Sequence, residues 1–436
     1  MNKNDKHRSF ERSGDVFGLK DWLSWQEDLH PKDIDLGLER ASQVWERLTP
    51  PDLSDSIIIS IAGTNGKGST VALFEAILSQ AGYRTGSYTS PHLLRYNERI
   101  RLNGEPVSDQ TIVQAFEAID AARNDMPLTY FEYGTLAALN IFSHEKPDVV
   151  LLEVGLGGRL DAVNIVDADL VMITSIALDH QEWLGNDRES IGREKAGIFR
   201  RGKPAVFSGR EMPASIADQA KGKQVALYVN GQEFYHKADG THWRWQGPSG
   251  VIDNLPLPNL SGAHQLDNAA GVVMALELLA TATPCDQDAI RQGLQTVSLS
   301  GRQQRVEKEG VQWILDVAHN PHAVAALRQQ LQNHPVSGRT FAVLGMLQDK
   351  DVAAVLELMR EQVQKWYFAS IQEPRGLTAE ALVNIANTLI QICPLEAHAT
   401  AEQAIQAASA EAVPGDRVLV FGSFYTVAEA LKSNRI

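Results

Sequence analysis

Short, nearly continuous apolar runs at 57–61, 149–154 and 170–176 each end in glycine or polar residues. Between them lie longer stretches, such as 71–80 and 133–142, whose apolar positions recur at helical spacing. β-Branched runs of that length, bounded by turn chemistry and separated by helices, predict a mostly parallel sheet covered on both faces. From 224 to 254 the texture changes to alternation broken by Asn230-Gly231 and further glycines. That predicts antiparallel hairpins, an excursion at the edge of the first domain. A second α/β series starts near Arg302, with "VQWILDVA", "TFAVLGML", "KWYFASI" and "RVLVFGS" separated by helix-like sequence, which sets a boundary near residue 300 in "SLSGRQQRV". The expected architecture is therefore α/β, with a mostly parallel sheet domain carrying a β-hairpin excursion over 1–300 and a smaller Rossmann-like α/β domain over 301–436. No internal repeat of about 20 to 50 residues is visible, so solenoids and propellers are excluded.

Composition agrees with two domains: 436 residues with 44% hydrophobic content furnish a sizeable core. The chain carries 40 Lys and Arg against 54 Asp and Glu, a net of −14. That argues against broad contact with a nucleic-acid backbone, and any anionic ligand must be gripped locally. Cys285 and Cys393 are far apart and lack metal-knot spacing, which fits a reducing cytoplasm rather than a disulfide framework. The first fifteen residues are polar with no apolar core of a signal, and no stretch approaches the length of a membrane span. A soluble, cytoplasmic protein with no membrane partner is expected.

The chemistry concentrates in "IIISIAGTNGKGST". Strand, glycine-rich loop and helix aim several backbone N–H groups and a helix N-terminus at one spot, where negative charge is stabilised. Gly63, Gly66 and Gly68 permit close approach, Lys67 supplies a point charge, and Ser69 or Thr70 can reach a magnesium ion. The loop departs from the usual phosphate-binding pattern, since residue 61 is Ile and Gly68 replaces the expected Ser or Thr. A turn serving only strand-to-helix geometry is the alternative.

A magnesium nucleotide needs hard oxygen ligands. Glu153 ends an apolar run just before Gly155, Gly157 and Gly158, a costly place for a carboxylate unless it binds metal or pairs, the candidate partner being Arg159. Asp179 and His180 stand beyond another apolar run. If their strands are neighbours, Lys67, Glu153 and His180 converge at the carboxyl ends, where α/β sheets bind ligands. His is a softer ligand than magnesium usually takes.

Taken together, "GTNGKGST", "TSPHLLRYNERI", "TYFEYGT", "LEVGLGGRLDA", "TSIALDHQEWLG", "EKAGIFR" and "DVAHNPHA" resemble the folylpolyglutamate synthase and dihydrofolate synthase group of the Mur ligase superfamily, over nearly the whole chain. The unusual glycine loop is the form that group uses. The resemblance implies a P-loop-containing ATP-binding domain of Mur ligase central type over 1–300 and a glutamate ligase domain over 301–436. It assigns Asn65, Gly66, Lys67 and Gly68 to the ATP phosphates, and Ser90, Glu153 and His180 to metal. From the residues alone, Ser90 reads as a turn residue before Pro91. Lys195 corresponds to a carbamylated lysine in similar proteins, an anionic oxygen donor able to help hold a second magnesium ion. Asn268, Arg302 and Asp316 match nucleotide contacts, and His319 and Ser423 match positions associated with the incoming glutamate. The pterin-bearing acceptor is expected on Asp33, Ile34 and Asp35, on Thr129, Tyr130, Phe131 and Glu132, and on Leu160, Asp161 and Ala162. Phe131 and Tyr133 offer either aromatic faces for a flat ring or core packing.

The implied reaction is ATP-dependent amide ligation through an acyl phosphate, with dihydropteroate or reduced folates as acceptors, L-glutamate as the amine, and ATP as co-substrate. Lys67, Lys195 and His319 are the expected catalytic groups, and a monomer is the expected state. The alternatives are a folylpolyglutamate synthase only, another Mur-type amino-acid ligase, or a non-catalytic nucleotide switch. A cell-wall ligase carries an added N-terminal domain, and this loop begins at Gly63, too early for it. A switch leaves Lys195, His319 and the second domain's polar strand ends unexplained.

Overall fold

The computed structural model describes residues 17–32, 34–48, 52–389 and 393–433. The first sheet contains β1 (Ile57–Ala62), β2 (Thr85–Tyr88), β3 (Ile100–Leu102), β4 (Glu105–Pro106), β5 (Val149–Glu153), β6 (Leu170–Ile173), β7 (Pro204–Phe207) and β8 (Ala226–Val229). Their order is β4-β3-β2-β5-β1-β6-β7-β8. From β2 to β8 every pairing is parallel, and only the β2–β3 and β3–β4 pairings at one edge are antiparallel, so β3 alone runs against the rest. β5 and β6 are buried at every position and β1 at all but its first. They read as unbroken apolar runs because both faces are covered. Ile58, Val150 and Leu152 pack on one side with helices Asp109–Arg123 and Tyr130–Glu145; Ile59, Ile61 and Leu151 pack on the other with Lys67–Gln80 and His264–Leu278.

The hairpin excursion differs from its expectation. Ala226–Val229 joins the parallel sheet as its edge strand, paired with β7. The antiparallel part is a separate three-stranded sheet, β9 (Tyr235–Asp239), β10 (His242–Gly247) and β11 (Gly250–Pro256). Its alternation is plain in β10, where Trp243 and Trp245 are buried while Arg244 is exposed. Trp245 donates Nε1–H to the Ala270 carbonyl at 3.1 Å, which fastens this ribbon to helix His264–Leu278.

The second sheet has β12 (Gln304–Lys308), β13 (Val311–Asp316), β14 (Thr340–Leu344), β15 (Lys365–Ala369), β16 (Leu395–His398) and β17 (Arg417–Phe421), in the order β12-β13-β17-β14-β15-β16. All pairings except β12–β13 are parallel. The two strands absent from the sequence reading, β12 and β16, lie at the edges and are short and half-polar. Among the described residues no helix is long and apolar enough to cross a membrane. Loops leaving the carboxyl ends of β1 and β6 meet those leaving β13 and β14, so a cleft opens between the domains.

Candidate active site

The glycine loop is shaped by what surrounds it. At Gly63, φ is +149° and an added Cβ would fall 1.8 Å from Thr174 Oγ1; at Gly66, φ is +93° and an added Cβ would meet the Asn268 amide at 2.9 Å. Only glycine fits either position. Gly66 caps helix Lys67–Gln80, so the free N–H groups of its first turn face the cleft. The loop is stapled to the segment after β6: Thr64 N donates to Ser175 O at 2.7 Å, and Asn65 O accepts from Thr174 Oγ1 at 2.7 Å. Lys67 folds back to place Nζ 3.1 Å from Gly63 O.

β5 and β6 flank β1, so Glu153 and the residues following Ile173 stand beside this loop. Glu153 is 5% exposed. Ser90 N donates to its Oε2 at 3.2 Å, while Arg159, the alternative partner, turns away to Glu194 at 3.0 Å. Burial raises the Glu153 pKa, against the charge of Lys67, the Ser90 N–H and the charges of Arg302 and Arg101. A desolvated carboxylate facing a phosphate-type loop with spare lone pairs fits a hard divalent ion, and the Ser90 hydroxyl adds a second hard donor. The His180 imidazole has its pKa pulled down to about 4, chiefly by burial and then by Lys350, so it is neutral and able to ligate. Lys195 is buried at the end of helix Arg188–Lys195; burial and then the charge of Lys67 lower its pKa to about 7.

Across the cleft, Asp316 ends β13 and accepts from Ala318 N at 2.9 Å; burial pushes its carboxyl up to about 6 despite Arg302. Arg302 is half-buried with its Nη1 buried and unpaired among the described residues, and its guanidinium lies 5.0 Å from the Phe424 ring centroid. An added Cβ on Gly68 would be 3.8 Å from Glu153 Oε2 and 3.9 Å from Arg302 Nη2, so all three meet at the start of the loop helix. His319 Nδ1 lies 2.7 Å from Val317 O, and its Nε2 is 3.6 Å from Asp179 Oδ2.

One cavity of about 730 Å³ unites this set: Asn65, Gly66, Lys67, Gly68, Ser90, Glu153, His180, Lys195, Asn268, Arg302, Asp316 and His319 all line it. Ser423 does not. It is buried and caps helix Phe424–Lys432, its Oγ accepting from Thr426 N at 3.0 Å.

The three segments expected for the acceptor come together outside that lining. Arg40 joins two of them, pairing with Asp35 at 2.7 Å and Glu132 at 3.1 Å, and Gly37 N donates to Leu160 O at 3.2 Å. Thr129 and Glu132 form a capping box on helix Tyr130–Glu145. Asp161 accepts from Leu156 N and Val163 N at 2.8 and 3.0 Å, and burial pushes its carboxyl up to about 6; Ala162 beside it is buried. Tyr130 lies under the Arg99 guanidinium, 5.5 Å from its ring centroid, and Phe131 packs 5.9 Å from the Tyr88 ring. Tyr133 is fully buried against Phe116 and Trp25, so of its two readings core packing holds. Ile34 lines a second cavity of about 610 Å³ that shares Leu178, Asp179, His180 and His322 with the first. Asp33 lies outside the described residues.

Sequence reasoning passed over several lining groups. Gln265 donates Nε2–H to Ser69 Oγ at 3.1 Å and accepts from Asn268 Nδ2 at 3.1 Å, bracing the loop helix. Its spacing to Asn268, one turn of the same helix, was the available signal. Asn320, His322 and Lys350 gave none, because their partners are remote in sequence. The Asn65 and Asn320 side-chain amides bond reciprocally at 3.0 and 3.3 Å, and Asn65 Nδ2 lies 3.0 Å from His322 Nδ1.

Comparison with known proteins follows the same outline. Residues 61–276 match the Mur ligase middle domain and 301–424 the Mur ligase glutamate ligase domain. The chain is 47% identical to the dihydrofolate synthase/folylpolyglutamate synthase of Escherichia coli K12, covering 95% of both chains, and 39% identical to that of Haemophilus influenzae, covering 94% and 96%. Its fold is similar to that of E. coli FolC in complex with DHPP and ADP, with a TM-score of 0.90, 46% identity and coverage of 96% and 97%. It is also similar to a bifunctional folylpolyglutamate synthase/dihydrofolate synthase with Mn, AMPPNP and L-glutamate bound, at a TM-score of 0.87, 46% identity and coverage of 95% and 98%.

Proposed function

The chain belongs to the dihydrofolate synthase/folylpolyglutamate synthase group of the Mur ligases, and on that premise we propose that it joins L-glutamate to dihydropteroate, giving dihydrofolate, and to the glutamate tails of reduced folates. ATP is consumed because a carboxylate repels nucleophiles and has no good leaving group. Transfer of the γ-phosphoryl to the acceptor carboxylate gives an acyl phosphate and ADP. The glutamate amine then attacks the acyl carbon, loses a proton, and phosphate leaves as the amide forms.

The observation carrying this reading is the single cavity that joins the glycine loop, the buried Glu153 and the polar strand ends of the second domain. Phosphoryl transfer asks mainly for positioning and charge stabilisation. Loop N–H groups and Lys67 grip the phosphates, Asn268 and Asp316 are further nucleotide contacts, and Arg302 offers its unpaired donor to the transferring group. Ser90, Glu153 and His180 would hold magnesium, with a second ion helped by Lys195. Magnesium supplies charge neutralisation on the phosphate oxygens. Lys195 fits carbamylation because burial brings its pKa down to about 7, so a large share of the amine is neutral near neutral pH, and a neutral amine adds to carbon dioxide with loss of one proton. His319 serves the incoming glutamate from the opposite wall. The segments gathered by Arg40 cradle the pterin end of the acceptor. Ser423 has the weakest support, its hydroxyl being spent on a helix cap. We place the domain boundary at 300/301. We place the protein in the cytoplasm as a monomer; its two free cysteines suit a reducing compartment.

The test is ligation of labelled glutamate to dihydropteroate and, separately, to tetrahydrofolate, with wild type and Glu153→Ala side by side. Turnover with both acceptors, lowered at least about 10²-fold in the variant, is expected. Turnover with tetrahydrofolate alone narrows the protein to polyglutamylation, and turnover with neither overturns the reading.

A further inference from the structure

Asp179 is one of the points at which the second domain grips the first, beside Asn65. It follows β6, and its carboxylate is 9% exposed in side-chain terms. Oδ1 accepts from Lys350 Nζ at 2.7 Å and from the backbone N of His180 at 2.9 Å; Oδ2 accepts from Asn320 Nδ2 at 3.1 Å and has His319 Nε2 at 3.6 Å. A carboxylate has about four acceptor sites. Here three are engaged by hydrogen bonds, two of them from the other domain, and His319 of that domain stands within ion-pair distance of Oδ2. Lys350 is 6% exposed and has Asp349 of its own domain at 3.4 Å, so it lies closer to the foreign carboxylate than to its local one.

A buried ion pair is a poor source of stability, since the desolvation cost of both charges roughly cancels their attraction. What it supplies is register: the pair is satisfied in one relative placement of the two domains. His319 and Asn320 leave the carboxyl end of β13, and Lys350 follows β14. One side chain therefore ties together the segments that follow two strands of the second domain, β13 and β14. Its chain neighbour, His180, faces the same cavity as Lys67 and Glu153.

We propose that Asp179 is a positioning residue of the ligation step, a carboxylate that sets His319, Asn320 and Lys350 against the nucleotide wall so that domain closure and assembly of the amino-acid side of the site are one event. The inference rests on the ligase reading above. It predicts separable effects: the grip on the nucleotide, made by the glycine loop and Asn268 with Asp316 and Arg302, none of which Asp179 touches, survives loss of Asp179, while the step that needs His319, Asn320 and Lys350 in place does not.

Full-length Asp179→Asn keeps size and one acceptor but removes the charge. Misplacing reacting groups by about 1 Å costs about 10²-fold in rate. The expected result is kcat lower by about that factor and KM for glutamate raised about tenfold, with the ATP Kd within about twofold of wild type and Tm little moved. Asp179→Glu recovers part of the rate. Lys350→Met, made from the other domain, shows the same split even if the Asp179 variant fails to fold, and the double variant falls no further than the worse single one, the mark of groups acting together. Three results overturn the proposal: ATP affinity lost in parallel with kcat, which assigns Asp179 to the nucleotide through His180; a kcat within about threefold of wild type; or single-variant losses that multiply. Wild-type ATP turnover that ignores glutamate overturns the ligase reading itself, and is read in the same assay.

Discussion

The phosphate-gripping groups of the first domain's wall are anchored within that domain, whereas Asn320 and Lys350 of the second domain lean on the first. Lys67 is held by its own loop carbonyls and Glu153 by the Ser90 N–H, both inside one domain. Asn320, by contrast, spends both amide N–H groups on Asn65 and Asp179 across the cleft, Lys350 has its nearest carboxylate in Asp179, and Arg302 has an Nη1 unpaired among the described residues. One wall is preorganised to grip the phosphates; the other becomes a catalytic surface only when the domains meet. Such a division suits an acyl phosphate, which hydrolyses unless water is shut out before it forms.

The sharpest way to break this comparison is Arg302→Ala. We expect kcat to fall by about 10²- to 10³-fold, the usual cost of losing one donor to developing charge, while acceptor affinity changes little. Steady-state kinetics beside an acceptor titration reads both, and an unchanged kcat removes Arg302 from closure. A smaller effect tests the first wall's chemistry. The Lys195 amine is protonated below its pKa of about 7 and neutral above it, so carbamate occupancy rises as pH climbs through 7. In carbon-dioxide-depleted buffer, activity is expected to rise across that range more steeply than in bicarbonate, and identical profiles would remove the carbamate. The smallest effect belongs to Ser423→Ala, where loss of the helix cap costs about 1 kcal/mol of stability by denaturant melt. A several-fold rise in KM for glutamate alongside it gives the hydroxyl a second duty; an unchanged KM leaves it a cap.

What was legible in the sequence follows the same division. The glycine loop, Glu153 and His180 announce themselves because polar residues at the ends of buried β-branched strands are physically expensive. Asp316 and His319 were visible for the same reason at the end of β13. The acceptor segments rested on resemblance: Thr129 and Glu132 read locally as a helix cap, and Arg40, which joins Glu132 to Asp35, carries no local signal. Lys350 and Asn320 were invisible because their significance lies in partners 171 and 141 residues away. Edge strands escaped because β12 and β16 are half-polar and lack the double-faced burial that marks central strands. Ala226–Val229 was swept into the hairpins because four residues are too few for periodicity to tell a parallel edge from an antiparallel one.

The neighbouring order β5-β1-β6 gives the site a ruler. Parallel strands repeat at about 4.8 Å, a distance fixed by peptide hydrogen bonding and indifferent to side chains. Glu153, the glycine loop and the segment leading to His180 hang from three successive marks on that scale. The connections between them, including helix Asp109–Arg123 and the β3–β4 hairpin, do not enter the spacing. Those stretches are where length and composition can drift between descendants of the fold while the distances that matter for chemistry stay in tune.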